Sequence, residues 1–239
     1  MYGRDAPLFI KCRDVMDNAF DNLPAPTPSR IPPTKSHTSG KQNKKSHSIN
    51  MKLWNMSSNV CFAANCKMRM ADGGEREVGT VKPGMNVWTP AGPRAIVHVV
   101  RNQVEQAEMC VLKNLRVTPW HPVRIDAQMD CGHEVPGKWV FPADVSTTKE
   151  IYNGSIYSVM LQRDSDERAH SIEIENVVAV TLGHGVLAMR KGDSRAHDFF
   201  GNYDLVLKSL VELPKDENGI RFSKGVKRDV NDLVNGFDA

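Results

Sequence analysis

The sequence predicts a mainly β domain of many short strands, preceded by a helix and a disordered basic linker and followed by C-terminal helices. Two observations carry the β assignment. From Cys61 to about residue 190 the chain passes through short β-branched and apolar runs: "EVGTVKPGMNVWT", "RAIVHVV", "EMCVLKN", "LRVTPWHPVRI", "KWVFPADV", "IYSVMLQ" and "HSIEIENVVAVTL". Gly, Pro, Asp and Asn interrupt those runs at close intervals, which is how short strands joined by turns read. A third observation sets the limits of the domain, since helical periodicity occurs only near the two ends of the chain.

The first element is a helix. From Ala6 to Leu23 the apolar positions Leu8, Phe9, Cys12, Val15, Met16, Ala19, Phe20 and Leu23 recur at helical spacing, with Lys11, Arg13, Asp14 and Asp17 between them. Residues 1–23 are therefore expected to be the last helix of a domain whose body lies upstream. "PAPTPSRIPP" ends that helix and starts a stiff extended segment. "TKSHTSGKQNKKSHSIN" is too polar to bury a core, so residues 24–57 are expected to be a disordered linker. The β domain spans 58–190. A C-terminal extension, 191–239, carries a helix over "YDLVLKSLVEL", with Leu205, Val206, Leu210 and Leu213 sharing a face. A second, shorter helix is expected in "KGVKRDVNDLVNGF", with Val226, Val230, Leu233 and Val234 apolar.

Composition narrows the function classes. The chain has 239 residues and a net charge of +3, too small to argue for nucleic acid. Its basic residues are nevertheless uneven: no acid occurs between Asp21 and Asp72, an interval holding Arg30, Lys35, Lys41, Lys44, Lys45, Lys52, Lys67 and Arg69. Trp54 is the lone Trp, Tyr or Phe among them before Phe62, so the stretch reads as a solvated linker rather than a nucleic-acid arm. No apolar stretch is long enough to span a bilayer and the start lacks a cleavable leader, so a soluble cytoplasmic chain is expected. The five cysteines, Cys12, Cys61, Cys66, Cys110 and Cys131, are an odd number without C-x-x-C spacing. A disulfide framework and a zinc site are both disfavoured, Cys131-Gly132-His133 lacking a matching second pair, and no cofactor or metal is expected.

Cys61 stands at the front of the predicted β domain, and three later motifs follow it in order. "CFAANCKMRMADG" closes on the Asp72-Gly73 turn, "VTPWHPV" carries Thr118 and His121, and "AHSIEIENVVAVTLGHG" carries His170 and His184. This series resembles the Hint superfamily, the fold shared by hedgehog autoprocessing domains and inteins. Within it, "TPWHPVR", "WVFPAD" and "VTLGHG" are most similar to the Vint subfamily, which is attached to von Willebrand A domains. The segment "APLFIKCRDVMDNAFDNLPAPTPSR" resembles the end of the region between those two domains, so the likeness covers nearly the whole chain.

The resemblance places Cys61 as the nucleophile, Thr118 and His121 at the scissile amide, and His170 and His184 in the late histidine motifs. The chemistry suits these residue types. A thiol needs geometry more than activation to attack the carbonyl of the preceding residue, Val60, and the chain itself supplies proximity. A histidine near its ordinary pKa of about 6.5 can protonate the departing nitrogen. Two departures from the family matter. Gly185 follows His184 where an intein has its terminal asparagine, and Val186 offers no acceptor side chain, so cleavage or transfer without full splicing is expected. "LQRDSDERAHS" is longer and more charged than the usual turn, so the spacing to His170 also departs from the pattern.

Three readings follow. The leading one is an autoprocessing domain in which Cys61 performs an N-to-S acyl shift at Val60-Cys61 and passes its own upstream polypeptide to water or another nucleophile. The second is an inactive Hint fold serving as a structural or protein-interaction module beside a von Willebrand A domain. The third is a cysteine hydrolase acting on other proteins. The first expects Cys61, Thr118 and His121 to converge.

Overall fold

The computed structural model describes residues 60–126 and 136–239. The expected helix over 1–23 and linker over 24–57 lie outside the described residues, as do Cys12, Cys131 and His133. The chain begins with three short strands, β1 (Phe62–Ala63), β2 (Lys67–Arg69) and β3 (Glu75–Glu77), followed by β4 (Asn86–Val87). The long β5 (Arg94–Leu112) turns tightly into β6 (Leu115–Val117), and β7 (Val123–Arg124) and β8 (Trp139–Val140) lead to a one-turn helix, α1 (Pro142–Val145). A second long strand, β9 (Thr148–Leu161), precedes the hairpin β10 (Ser171–Ile174) and β11 (Val177–Val180). The last segment holds α2 (Tyr203–Val211), β12 (Ile220–Ser223), β13 (Gly225–Arg228) and β14 (Val234–Asp238).

The strands form two six-stranded sheets and a ribbon. One sheet has the order β12-β5-β6-β1-β9, with β4 on β5 and a further β5–β9 pairing; the other has the order β3-β2-β10-β11-β7-β8. The β5–β9 pair runs from Ile96↔Leu161 to Val111↔Thr148 and shifts register twice, so these strands bend instead of extending as a flat ribbon. At the second shift Gln106 adopts φ 50° and its N–H is taken up by the Asn153 side chain at 2.8 Å. The β10–β11 turn is Glu175-Asn176, both at positive φ, which matches the twist of the hairpin it closes.

Two apolar clusters lie inside. The larger is built from β1, β2, β5, β6, β9, β10 and β11, and includes Cys61, Phe62, Met68, Val99, Leu115, Val117, Ile156 and Ile172. The smaller joins Val60, Val100, Phe141, Met160 and Leu182 to Phe199, Phe200, Val206, Leu210, Leu213 and Phe237 of the last fifty residues. That last segment is not an appendage, because β12 pairs in parallel with β5 from Ile220↔Val99 to Ser223↔Asn102.

The predicted helix at 203–213 is present as α2, capped by the Asn202 side chain, which accepts from the N–H groups of Asp204 and Leu205 at 3.1 Å. Val206 and Leu210 are buried, whereas Leu205, assigned to the same face, is exposed. The second helix is not present. Its residues form the β13–β14 hairpin, because the Asp229 carboxylate accepts from the N–H groups of Asn231 at 2.8 Å and Leu233 at 2.9 Å and folds "DVND" into a turn. Val230, counted on the apolar helical face, is 100% exposed at the tip. Among the described residues, no helix is long and apolar enough to cross a membrane.

Candidate active site

Register explains how residues far apart in sequence reach Cys61. The two-residue β1 lies between β6 and β9, with Phe62 opposite both Val117 and Tyr157. In antiparallel pairing the residue before Phe62 then faces the residue after Val117 and the residue after Tyr157. Those are Thr118 and Ser158.

The contacts follow. The Cys61 N–H donates to Thr118 Oγ1 at 3.0 Å, the Thr118 N–H donates to the Cys61 carbonyl at 3.0 Å, and the Thr118 hydroxyl reaches the same carbonyl at 3.3 Å. On the other side, Cys61 Sγ lies 3.1 Å from Ser158 Oγ. The Ser158 hydroxyl also donates to the Val60 carbonyl oxygen, the oxygen of the peptide bond that Cys61 would attack. A serine has one hydroxyl proton. With that proton on the Val60 oxygen, the thiol must be the donor in its contact with Ser158, giving a chain from Sγ–H through Oγ–H to the carbonyl.

Thr118 also opens the turn that holds His121, whose N–H donates to the Thr118 carbonyl at 3.2 Å. The imidazole packs on Phe62 with ring centres 4.2 Å apart, and Nε2 is 2.9 Å from the Val180 carbonyl. A carbonyl can only accept, so Nε2 carries the proton and Nδ1 keeps its lone pair. Nδ1 is buried and has no hydrogen-bond partner. Burial pushes the His121 pKa down to about 4, offset in part by the Val180 carbonyl and then by the Cys61 backbone. The expectation of an imidazole near 6.5 is therefore corrected: His121 is neutral at pH 7 and cannot begin as an acid. Burial likewise pushes the Cys61 thiol up to about 12, with the Ser158 contact opposing it. Cys61 therefore rests as a thiol.

The structure thus brings together Cys61, Thr118 and His121, and adds Ser158. Sequence reasoning missed Ser158, although one signal was available: it is a hydroxyl inside "IYSVML", a run whose residues are all buried. His170 and His184 are held elsewhere. His170 Nε2 lies 3.0 Å from the Asp164 carbonyl and 3.2 Å from its N–H, and its ring meets Tyr203 edge-on at 6.0 Å. His184 Nδ1 accepts from the Val186 N–H at 3.3 Å. Its pKa falls to about 3 through burial and then through Arg195, His197 and His170. The two groups adjoin at the end of β11, where the Val180 carbonyl serves His121 and the next residue, Thr181, donates its N–H and its hydroxyl to the His170 carbonyl at 3.0 Å.

At the other end of the motif series the backbone is tied down. The Gly183 and Gly185 N–H groups donate to Phe200 and Gly201 carbonyls at 2.8 Å, and the His197 N–H donates to the Val186 carbonyl at 3.1 Å. Gly185 continues into a packed chain and presents no side chain to attack its own carbonyl. Among the described residues, no group of three or more His, Cys, Asp or Glu is placed to hold a metal ion.

Comparison with known proteins gives a family match. The family model described as Vint, a Hint domain, matches residues 60–236. The solution structure of a bacterial intein-like domain from Clostridium thermocellum aligns at 13% identity with a TM-score of 0.38, covering 52% of this chain and 99% of its own. The crystal structure of gp41-1 intein aligns at 8% identity and 0.36, covering 52% and 100%. That of MchDnaB-1 intein aligns at 11% and 0.35, covering 50% and 98%. No curated protein matches the chain.

Proposed function

Because the chain belongs to the Vint family of Hint domains, we propose that it is a single-turnover autoprocessing domain in which Cys61 takes the acyl group of Val60 from its own amide nitrogen. One observation carries this reading: a single hydroxyl, Ser158 Oγ, touches both the thiol and the carbonyl oxygen of the bond to be broken.

The step balances within the site. As Cys61 Sγ bonds to the Val60 carbonyl carbon, the thiol proton passes to Ser158 Oγ while the Ser158 proton passes to the carbonyl oxygen, so no free thiolate or oxyanion accumulates. The resulting carbon carries sulfur, hydroxyl and the Cys61 nitrogen. Its collapse breaks the carbon–nitrogen bond, restores the carbonyl as a thioester and requires one proton on nitrogen. His121, neutral with a free lone pair at Nδ1, serves as base and then acid, moving the hydroxyl proton to the nitrogen. Thr118 holds that nitrogen through its N–H. The thioester then yields to water or another nucleophile, releasing the polypeptide upstream of Cys61. That polypeptide is the substrate; its link to a von Willebrand A domain belongs to the same proposal. Splicing does not follow, since Gly185 cannot cyclise.

The rival reading, a Hint fold kept as an interaction module, is favoured by the burial that holds the thiol near 12. A thiol test separates them. Dithiothreitol should release a fragment ending at Val60 and leave one beginning at Cys61, identified by mass spectrometry, and Cys61→Ala should abolish this. A wild-type chain that stays whole while circular dichroism shows it folded would favour the module. Equal release from Cys61→Ala would indicate a contaminating protease.

A further inference from the structure

The scissile bond lies on the seam between the two apolar clusters. Cys61 belongs to the larger cluster, built by residues 61–179 together with Ile220, whereas Val60 belongs to the smaller one, built largely by residues after 186. Val60 is 5% exposed, although the residue before a self-cleaving bond has to leave with the upstream segment.

The cluster to which Val60 belongs is firmly constructed. Phe141 and Phe199 are almost fully buried in the same cluster, and His197 Nδ1 accepts from the backbone N–H groups of Phe199 at 3.0 Å and Phe200 at 3.1 Å, fixing that turn. A Cβ on Gly201 would meet the Val186 carbonyl oxygen at 2.1 Å, so the turn closes directly on the chain leaving Leu182. Ser158, which holds the Val60 carbonyl, faces Val100 of the same cluster across the β5–β9 pair.

We infer that the C-terminal segment, residues 186–239, builds an apolar subsite for the residue preceding the nucleophile, and that docking of Val60 there aims its carbonyl at Ser158 and Cys61. The inference rests on the autoprocessing reading and adds a specificity to it: the domain processes chains with a compact apolar residue at this position and discriminates against polar or smaller ones. After the carbon–nitrogen bond breaks, the acyl end stays docked beside Cys61, so the upstream segment leaves only when a nucleophile takes the thioester.

The sign of one substitution tests this. A β-branched side chain crowds its own carbonyl, so crowding alone makes Val60→Ala release faster than wild type. The subsite makes Val60→Ala slower, by about tenfold. Val60→Thr keeps the branching and the shape but places a hydroxyl among apolar side chains, and should be at least about fivefold slower; Val60→Ile should stay within about threefold. Rates of dithiothreitol-induced release are measured on the full chain, with circular dichroism confirming the fold of each variant. Phe199→Leu, a milder change than Phe199→Ala, should narrow the difference between Val60 and Val60→Thr. Release from wild type with Val60→Ala equal or faster, and Val60→Thr equal, overturns the subsite alone. No release from a folded wild-type chain overturns the autoprocessing reading, and the subsite's role in it.

Discussion

Replacing Ser158 by alanine removes a side chain that contacts both the Cys61 thiol and the Val60 carbonyl oxygen. Two costs follow. The Val60 carbonyl, buried and without its donor, loses about 1–3 kcal/mol of folding stability, the usual penalty for an unsatisfied buried acceptor. In the proposed reaction the transition state loses more, because the oxygen develops charge as sulfur attacks; removing one such donor ordinarily costs about 10²–10³ in rate, or about 2.7–4 kcal/mol. Ser158 already donates in the resting state, so only the strengthening of that bond counts toward the rate. Loss of the proton path from the thiol adds to it, since Cys61 is held at about 12 and Ser158 is what opposes that shift. The expected result is release slowed by about 10²-fold in Ser158→Ala, with Ser158→Thr, which keeps the hydroxyl, within about tenfold of wild type. The assay is the time course of dithiothreitol-induced release, read by mass spectrometry, on chains whose melting curves show them folded. Release from Ser158→Ala within threefold of wild type would refute the role assigned to this hydroxyl.

Three further outcomes are expected. His121→Asn should slow release by roughly 10²–10⁴ while the chain stays folded; an unchanged rate would remove His121 from the mechanism. Acid should destabilise the domain through its buried imidazoles: His121 and His197 titrate at about 4 and His184 at about 3 when folded, against about 6.5 unfolded, so the unfolded chain binds more protons and stability present above pH 6.5 is lost as pH falls. Three such groups give about 4 kcal/mol per pH unit between about pH 6 and 4, a large share of a total of about 5–15 kcal/mol; a melting temperature no lower at pH 4 than at pH 7 would contradict this. Gly201→Ala should destabilise the fold by more than about 3 kcal/mol, since backbone oxygens of Val186 and His197 occupy the place of its Cβ at 2.1 and 2.5 Å, and an unaltered melting temperature would show that the turn can open.

What was legible in the sequence, and what was not, follows physical lines. The many-stranded β fold could be read because β-branched runs and turn residues are local signals. That Cys61, Thr118 and His121 lie together could be read because the motif order carried them. Ser158 could not, since its role depends on β1 lying between β6 and β9, a register that no residue near Ser158 announces. The β13–β14 hairpin was misread for the opposite reason. Four apolar residues over a short stretch fit a helix as well as a strand, and the outcome was decided by the Asp229 carboxylate closing a turn. His170 and His184 were assigned by motif position, yet their rings are engaged by Asp164, Tyr203 and the Val186 backbone. Similar residues in similar order do not by themselves fix where a ring points.

A thiol held near 12 is compatible with the proposed chemistry at neutral pH because the proposed attack is intramolecular. At pH 7 a group of that pKa is ionised to about one part in 10⁵, while a well-oriented intramolecular nucleophile acts at an effective concentration of about 10⁵–10⁸ M. The two factors offset each other, and transfer of the thiol proton along Ser158 during attack removes the need for a resident thiolate. Burial then has a second effect. The same packing that raises the thiol, with Val60 on one cluster and Cys61 on the other, keeps bulk water from the thioester once formed. In the proposed reaction the fate of the upstream segment therefore depends both on how fast Cys61 attacks and on what nucleophile can enter the seam.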